Sequence, residues 1–519
     1  MLTFTVAAAG PSVMEPALPG RPGQPPWSAD AHLSAYTVVG LAAAGLAAGA
    51  LGLALVLRAT RGGWSVSPRA VLAAGLLAAA ALTLVPPFGS SDQLSYAAYG
   101  RMLITGHDPY TTTPAQLAAL GDPVARAVGD WPGAPSVYGP LATGVEALAS
   151  LAGGTSVRLT VFLLGLANLA AFAATALLLH RMTRGDRVRQ LRAAVAWAAN
   201  PLLLQVLVAG AHVDVQQAVF AVAAVAVMFG PWPPACRHPV TVSRAGLAGA
   251  LVGLGFAVKA TAALAELGLA IALAVMAGPA ARAWRRVVPP LAALAAGFAA
   301  TAGAAAAFGG SAMAHQLSRE SDMVSIGSPW RVVRTLIDLA VAGSTATDIV
   351  KGGTVVVAAV LAVLLIRGLP GVLAAADAGA DGGARARAGT GVVFALVLAW
   401  LLACPYVLPW YDALAWALLP LVPLATLRPG LATDALYWAL LARGVALGFG
   451  YLPARQAGVT LPGGLSWLQP VIRHGLTPAV LAMVTAWLAV RAARAGSARP
   501  PAGPGTAPAV RHVPAGKTG

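Results

Sequence analysis

Cysteine and acidic residues are scarce in this chain: 519 residues contain two cysteines and 18 Asp or Glu. Cys236 and Cys404 lie far apart, and the topology below puts them on opposite sides, so neither a disulfide nor a zinc site is implied. Charge of either sign is thin, at 10% of residues, against 58% hydrophobic residues and a mean hydropathy of +0.75. No water-soluble globule can be built from that balance, because there is too little polar surface to cover it. The fold class expected is an all-α polytopic membrane protein. The start, MLTFTVAAAG, lacks the basic stretch of a secretory signal. The net charge of +16 is spread as small arginine groups with no single basic patch, so it reads as topology signal and implies no nucleic-acid partner.

Apolar runs of membrane length are what the chain has in abundance. About 13 are expected as helices, near 35–57, 69–87, 158–179, 193–209, 215–230, 245–259, 261–278, 287–307, 352–367, 389–404, 413–427, 433–452 and 473–490. Arginines concentrate in alternate connections, at 58–69, 180–192, 282–286 and the carboxyl-terminal tail, which the positive-inside rule makes cytoplasmic. Of the acids, only Asp186, Asp377, Asp381 and Asp434 fall in the loops on the side that carries most of the arginine. Residues 1–34 and 493–519 are rich in Pro, Gly and Ala and are expected as disordered tails around a membrane domain over 35–492, with 370–390 a flexible linker. The outer loops are expected at 88–157, 308–351 and 453–472, the first of them the largest.

The unusual polar residues then converge outside. The first outer loop carries Asp92, Tyr96, Tyr99, Arg101, His107, Asp108 and Tyr138; later outer turns carry His212 and Asp214, Lys259, and Trp410 with Tyr411. A carboxylate at the membrane rim can serve as general base toward a hydroxyl, and a nearby cation can stabilise a leaving phosphate. A lipid-linked substrate explains a site at this surface, since its tail stays in hydrocarbon while its phosphate meets the cations. Simpler readings stand beside these. Asp92 can cap the helix that begins near Leu94, the tyrosines and Trp410 can form an interfacial belt, His212 and Asp214 can satisfy each other in a turn, and Arg319, Glu320 and Asp322 read as a solvated charge cluster. Asn200 and Pro201 mark a kink within the fourth helix, and Glu266 and Arg443 look intramembrane, either paired or facing a cavity.

The run SDQLSYAAYGRMLITGHDPYTTTP, followed by YGPLAT, NPLLLQVLVAGAHVD, GFAVKATA and PWY, resembles the actinobacterial polyprenol-phosphomannose-dependent α-1,6-mannosyltransferases, a family of the GT-C class. The likeness extends from about residue 35 to 490. It implies a GT-C-like bundle, a polyprenol-phosphate-mannose donor, a lipid-anchored mannan acceptor, and an active site on the extracytoplasmic face of the cell membrane. An acid early in the first outer loop is the family's expected base, which falls on Asp92; Tyr96, Tyr99, Arg101, His107, Asp108, Tyr138, His212, Asp214, Lys259, Trp410 and Tyr411 are the expected substrate contacts. Many members of the class carry paired acids at that place, but Asp92 has no acidic neighbour, so neither a metal nor another cofactor is expected. Another sugar, such as arabinose, is the alternative donor moiety, and a lipid-linked sugar flippase is the alternative class, for which the intramembrane Glu266 and Arg443 would speak.

Overall fold

The computed structural model of the chain describes residues 1–61, 63–64, 66–230, 240–277, 281–341, 343–369, 372, 382–422, 433–454 and 460–497. Its regular structure is helical. Each of the thirteen expected spans contains helix, but the helix in 69–87 ends at Thr83, that in 245–259 at Phe256, and 413–427 holds only the short Ala413–Leu418 helix and a 3-10 turn in its described part. Eight helices among the described residues are long and apolar enough to cross a membrane: Ala35–Thr60, Val157–Met182, Arg187–Ala209, Ala260–Ala277, Trp284–Ser321, Ser344–Gly368, Ala384–Ala403 and Gly463–Ser497. For three of the five spans missing from thirteen the cause is length. Pro68–Thr83, Asp214–Phe229 and Val242–Phe256 are apolar but only 15 or 16 residues long, and at 1.5 Å per residue such a helix falls short of a hydrocarbon core of about 30 Å.

Small residues let these helices approach closely. A Cβ on Gly249 would overlap the Leu294 carbonyl, so the Val242–Phe256 and Ala281–Ser321 helices can pack backbone to backbone, and Thr301 Oγ1 donates across that seam to Ala250 O at 3.0 Å. The bundle core around them includes Phe172 stacked on Trp197 at 5.1 Å and the buried Trp416. Asn200 sits at a helix break as expected, its side chain accepting from the backbone N–H groups of Leu202 and Leu203 between two stretches of π-helix. Arg443 does not pair with Glu266; it pairs with Asp412, at 2.8 Å inside the bundle.

One expectation is corrected. Residues 1–34, read as a disordered tail from their Pro and Gly content, instead form a strap folded onto the bundle. Leu2–Ala9 is a helix, and Val6, Ala7 and Met14 are buried against Val38, Val85, Phe88 and Leu452. Burying the Met14 side chain alone stabilises the strap by about 2 kcal/mol, and Met14 O accepts from Gly89 N–H at 2.8 Å. Composition misled here because a few apolar side chains such as Val6, Ala7 and Met14 suffice to anchor a segment when a partner surface is present. The first outer loop carries the helix expected near Leu94 and two more. Asp92–Ile104, Pro114–Ala119 and Pro140–Gly153 are helices, and most residues of Asp92–Ile104 are buried. Likewise the Ala281–Ser321 helix runs through residues 308–321, bent at Gly310, where φ is 60°. Residues 370–371 and 373–381 of the expected linker, and 498–519 of the carboxyl-terminal tail, lie outside the described residues; 493–497 continue the Thr477–Ser497 helix.

Candidate active site

Asp92 opens its helix from within. Ser91 holds the N-cap position and makes no side-chain capping bond, so Asp92 is the first helical residue and not the cap. Its carboxylate faces a cavity of about 470 Å³ that Tyr96, Tyr99, Tyr138, Lys259, Trp410 and Tyr411 also line. Seven of the twelve residues picked from the sequence thus meet around one space, although they come from four separate stretches of chain.

Local geometry explains how they arrive. The YGP turn brings its backbone against the loop ahead of Lys259: Gly139 N–H donates to Val258 O at 2.9 Å and Leu141 N–H to Ala257 O at 2.8 Å. A side chain at Gly139 would overlap the Ala257 carbonyl, so the approach requires glycine. It sets the Lys259 ammonium 5.9 Å from the Tyr138 ring centre and 4.1 Å from that of Tyr411, within cation–π range. Tyr96 and Tyr138 meet edge to face at 5.1 Å, their hydroxyls 3.3 Å apart. Tyr96, Tyr99 and Trp410 are 3%, 4% and 3% exposed, so none of them is a belt residue at a lipid interface.

His212 and Asp214 sit behind this wall and do not line the cavity. They do not satisfy each other. Asp214 accepts from Lys259 Nζ at 2.9 Å with both side chains buried. His212 stacks on Trp410 with ring centres 3.4 Å apart and places Nδ1 3.5 Å from Asp92 Oδ2, longer than a good hydrogen bond. The turn that carries it is strained, with Ala211 at φ 53°. Burial, and then the Lys259 charge, holds the His212 imidazole well below its usual pKa, so it is neutral at physiological pH.

The Asp92 carboxyl is strongly perturbed. Burial raises its pKa to about 7 against the opposing pull of Lys259, with Asp214 and Asp130 adding smaller upward shifts. Its side chain is 19% exposed, so a ligand in the cavity can reach it. A carboxylate titrating near neutral pH is suited to general base catalysis.

The remaining expected residues have structural partners. Arg101 Nε donates to Asp122 Oδ2 at 2.6 Å, Asp108 accepts from Tyr110 N–H at 2.8 Å in a turn, and His107 Nδ1 meets Thr105 Oγ1 at 3.1 Å; none lines the cavity. Sequence reasoning missed part of the opposite wall. Gln316, Arg319 and Glu320 line the cavity together with Tyr411. The charge-cluster reading holds only for Asp322, which pairs with Lys351 outside. The usable signal was the spacing 316, 319, 320, which puts the three on one helical face. Trp131, Tyr406 and Tyr451 complete the aromatic lining. Among the described residues no group of three or more His, Cys, Asp or Glu is arranged to hold a metal ion.

Comparison with known proteins places this cavity in context. The chain is 29% identical over 158 residues to alpha-(1->6)-mannopyranosyltransferase B of Corynebacterium glutamicum, covering 30% of this chain and 24% of that protein. It is 32% identical over 132 residues to an alpha-(1->6)-mannopyranosyltransferase of Mycobacterium tuberculosis, covering 25% and 22%. The aligned stretches thus span about a quarter of each relative's length. Among solved structures, the archaeal oligosaccharyltransferase AglB from Archaeoglobus fulgidus, in complex with an inhibitory peptide and a dolichol-phosphate, aligns at a TM-score of 0.37 and 14% identity, over 81% of this chain and 56% of that one. The family model described as alpha-(1->6)-mannopyranosyltransferase, N-terminal domain, matches residues 1–277. That is more than half of the 519 residues, and the chain therefore belongs to the alpha-(1->6)-mannopyranosyltransferase family of glycosyltransferases.

Proposed function

We propose that this protein transfers mannose from polyprenol-phosphate-mannose to an α-1,6-mannan acceptor carried on a lipid anchor, in a GT-C-like bundle whose cavity opens on the extracytoplasmic face. The observation that carries the reading is the pairing, in one aromatic-lined cavity, of a carboxylate that titrates near neutral pH with a buried ammonium. Asp92 takes the proton of the acceptor hydroxyl as its oxygen attacks the anomeric carbon. The carbon–oxygen bond to the donor phosphate breaks, and the electron pair leaves with the phosphate. Lys259 shifts part of its ion pairing from Asp214 to that phosphate and stabilises the charge as it develops. Attack from the face opposite the leaving group inverts the centre, so a β-linked donor yields an α-linked product. In this reading the departing phosphate monoester is met by cationic side chains and the step uses no metal. The tyrosines and Trp410 supply flat faces for sugar stacking, and His212 supports Asp92 from behind.

The deciding experiment supplies the purified protein, in lipid nanodiscs, with radiolabelled polyprenol-phosphate-mannose, -arabinose and -glucose and a short α-1,6-mannoside. Mannose transfer with a new α-1,6 linkage is expected. Transfer of arabinose or glucose in preference would replace the sugar assignment. Movement of donor lipid across a bilayer with no sugar transferred would establish the flippase instead.

A further inference from the structure

A second cavity, of about 440 Å³, lies between the amino-terminal strap and the start of the Asp92 helix, and it is distinct from the space around Lys259. Its polar lining is Ser12, Glu15, Ser91 and Asp130. Glu15 is 1% exposed, and neither of its carboxyl oxygens has a hydrogen-bond partner among the described residues. A buried polar group left without partners is destabilising, and natural proteins retain few of them without a use. Burial pushes the Glu15 carboxyl up to about 9, so at neutral pH it keeps its proton and presents one donor and one acceptor. The wall that carries it is fixed: Gly89 N–H donates to Met14 O at 2.8 Å, and Met14 is buried.

The two cavities share a wall. Ser91 and Asp130 face the second, while the next residues in each stretch, Asp92 and Trp131, face the first. Ser91 Oγ donates to Asp130 Oδ2 at 2.6 Å and ties the two stretches together. Trp131 is held with φ at 63°, a strained conformation for a bulky residue, and is 45% exposed. No lysine or arginine lines the second cavity, which disfavours a phosphate there. A carboxylic acid, a carboxylate and two hydroxyls suit a neutral ligand rich in hydroxyls, and Pro11, Pro16 and Pro19 offer apolar surface to the C–H faces of a sugar ring.

We propose that this second cavity is a saccharide subsite that holds the acceptor chain behind the sugar being extended, with Glu15 donating to one sugar oxygen and Asp130 accepting from a sugar hydroxyl. The proposal rests on the glycosyl-transfer reading above. Trp131, on the shared wall, would stack the sugar that passes from this subsite to Asp92.

The test uses the full chain in lipid nanodiscs with labelled donor and synthetic α-1,6-mannosides of one and four residues. Replacing Glu15 by alanine is expected to raise the acceptor KM about tenfold for the tetramannoside, the size of one lost hydrogen bond, with little change for the monosaccharide or for the donor KM. Glu15→Gln keeps a donor and an acceptor and is expected to recover most of the affinity. Tetramannoside binding measured by calorimetry without donor keeps the two readings apart. If Asp92 is not the base, binding is still weakened in Glu15→Ala. If transfer is normal and binding is unchanged in Glu15→Ala, the subsite is overturned while the transferase reading stands. An equal effect on acceptors of both lengths would mean Glu15 merely supports the fold, and tetramannoside binding that requires added magnesium or calcium, and loses that requirement in Glu15→Ala, would mean a cation site; either overturns the proposal.

Discussion

Lys259 and Arg443 each hold one buried aspartate, Asp214 at 2.9 Å and Asp412 at 2.8 Å, and each leaves the second carboxylate oxygen of that aspartate without a hydrogen-bond partner among the described residues. Both regions carry the desolvation cost of two charges, for which Coulomb attraction compensates only in good geometry. They differ in what lies on the far side of the cation. Lys259 lines the aromatic cavity beside Asp92, whereas Arg443, 2% exposed, is absent from that lining. A compact ammonium on a flexible stem can exchange partners with a ligand phosphate, while the planar Arg443 guanidinium is held by Asp412 away from the aromatic cavity. A buried ion pair is therefore a weak indicator of function by itself, and its neighbour across the cavity is what separates the two.

The strongest way to break the comparison is at Asp92. In Asp92→Asn the size is kept but no proton can be accepted, and transfer is expected to fall about 10² to 10⁴-fold at equal membrane levels. Activity within a few fold of wild type would shift the search for the base to Glu320, the other carboxyl that lines the cavity.

Asp412→Ala tests the other pair. Leaving Arg443 buried and unpaired is expected to cost about 3 to 5 kcal/mol of stability, read as lower expression and an earlier thermal transition. The folded fraction should keep the donor KM of wild type. Replacing Arg443 by Met and Asp412 by Leu together should restore most of the stability, and a specific loss of transfer in that double variant would move the pair into the functional site.

Lys259→Ala should raise the donor KM about ten- to a hundredfold, as expected for losing a hydrogen bond to a charged group, and Lys259→Arg should keep part of that binding because the charge remains. An unchanged donor KM in the alanine variant would remove Lys259 from phosphate binding. The pH dependence is gentler. Asp92 must be ionised to act, and its raised pKa of about 7 places the acid limb there, so kcat/KM should rise through pH 7 and drop about tenfold for each unit below it. A limb near pH 4, the range of an ordinary carboxylate, would show that Asp92 is not the group that titrates.

The smallest effect sharpens orientation alone. In a background lacking Cys236 and Cys404, Thr112→Cys should react with an impermeant thiol reagent in intact cells and Gly185→Cys should not, with transfer unchanged in both. The reverse pattern would invert the proposed sidedness of the cavity.

Much of the molecule is legible in its amino-acid sequence, because a hydrocarbon solvent penalises unpaired backbone so heavily that apolar runs must be helices, and each of the thirteen runs contains helix, eight of them long enough to cross a membrane. Asp92 and Lys259 stand out for a related reason: an ionisable group at the edge of an apolar segment is costly to keep. Pairings cannot be read this way. Asp214 sits two residues from His212 and 45 from Lys259, yet its partner is Lys259, since the YGP turn and close helix packing decide which side chains meet. Glu320 and Arg319 resemble a solvated cluster because charge in sequence carries no direction, and only the course of the Ala281–Ser321 helix turns that face inward. Glu15 lies in a stretch whose proline content suggests disorder, and it is buried because the surface around Phe88 and Leu452, assembled from distant segments, gives Val6, Ala7 and Met14 somewhere to pack. Composition and periodicity thus settled which segments are helical; partner choice, burial and the shared wall between the two cavities depend on contacts between residues far apart in the chain, and these only the tertiary structure decided.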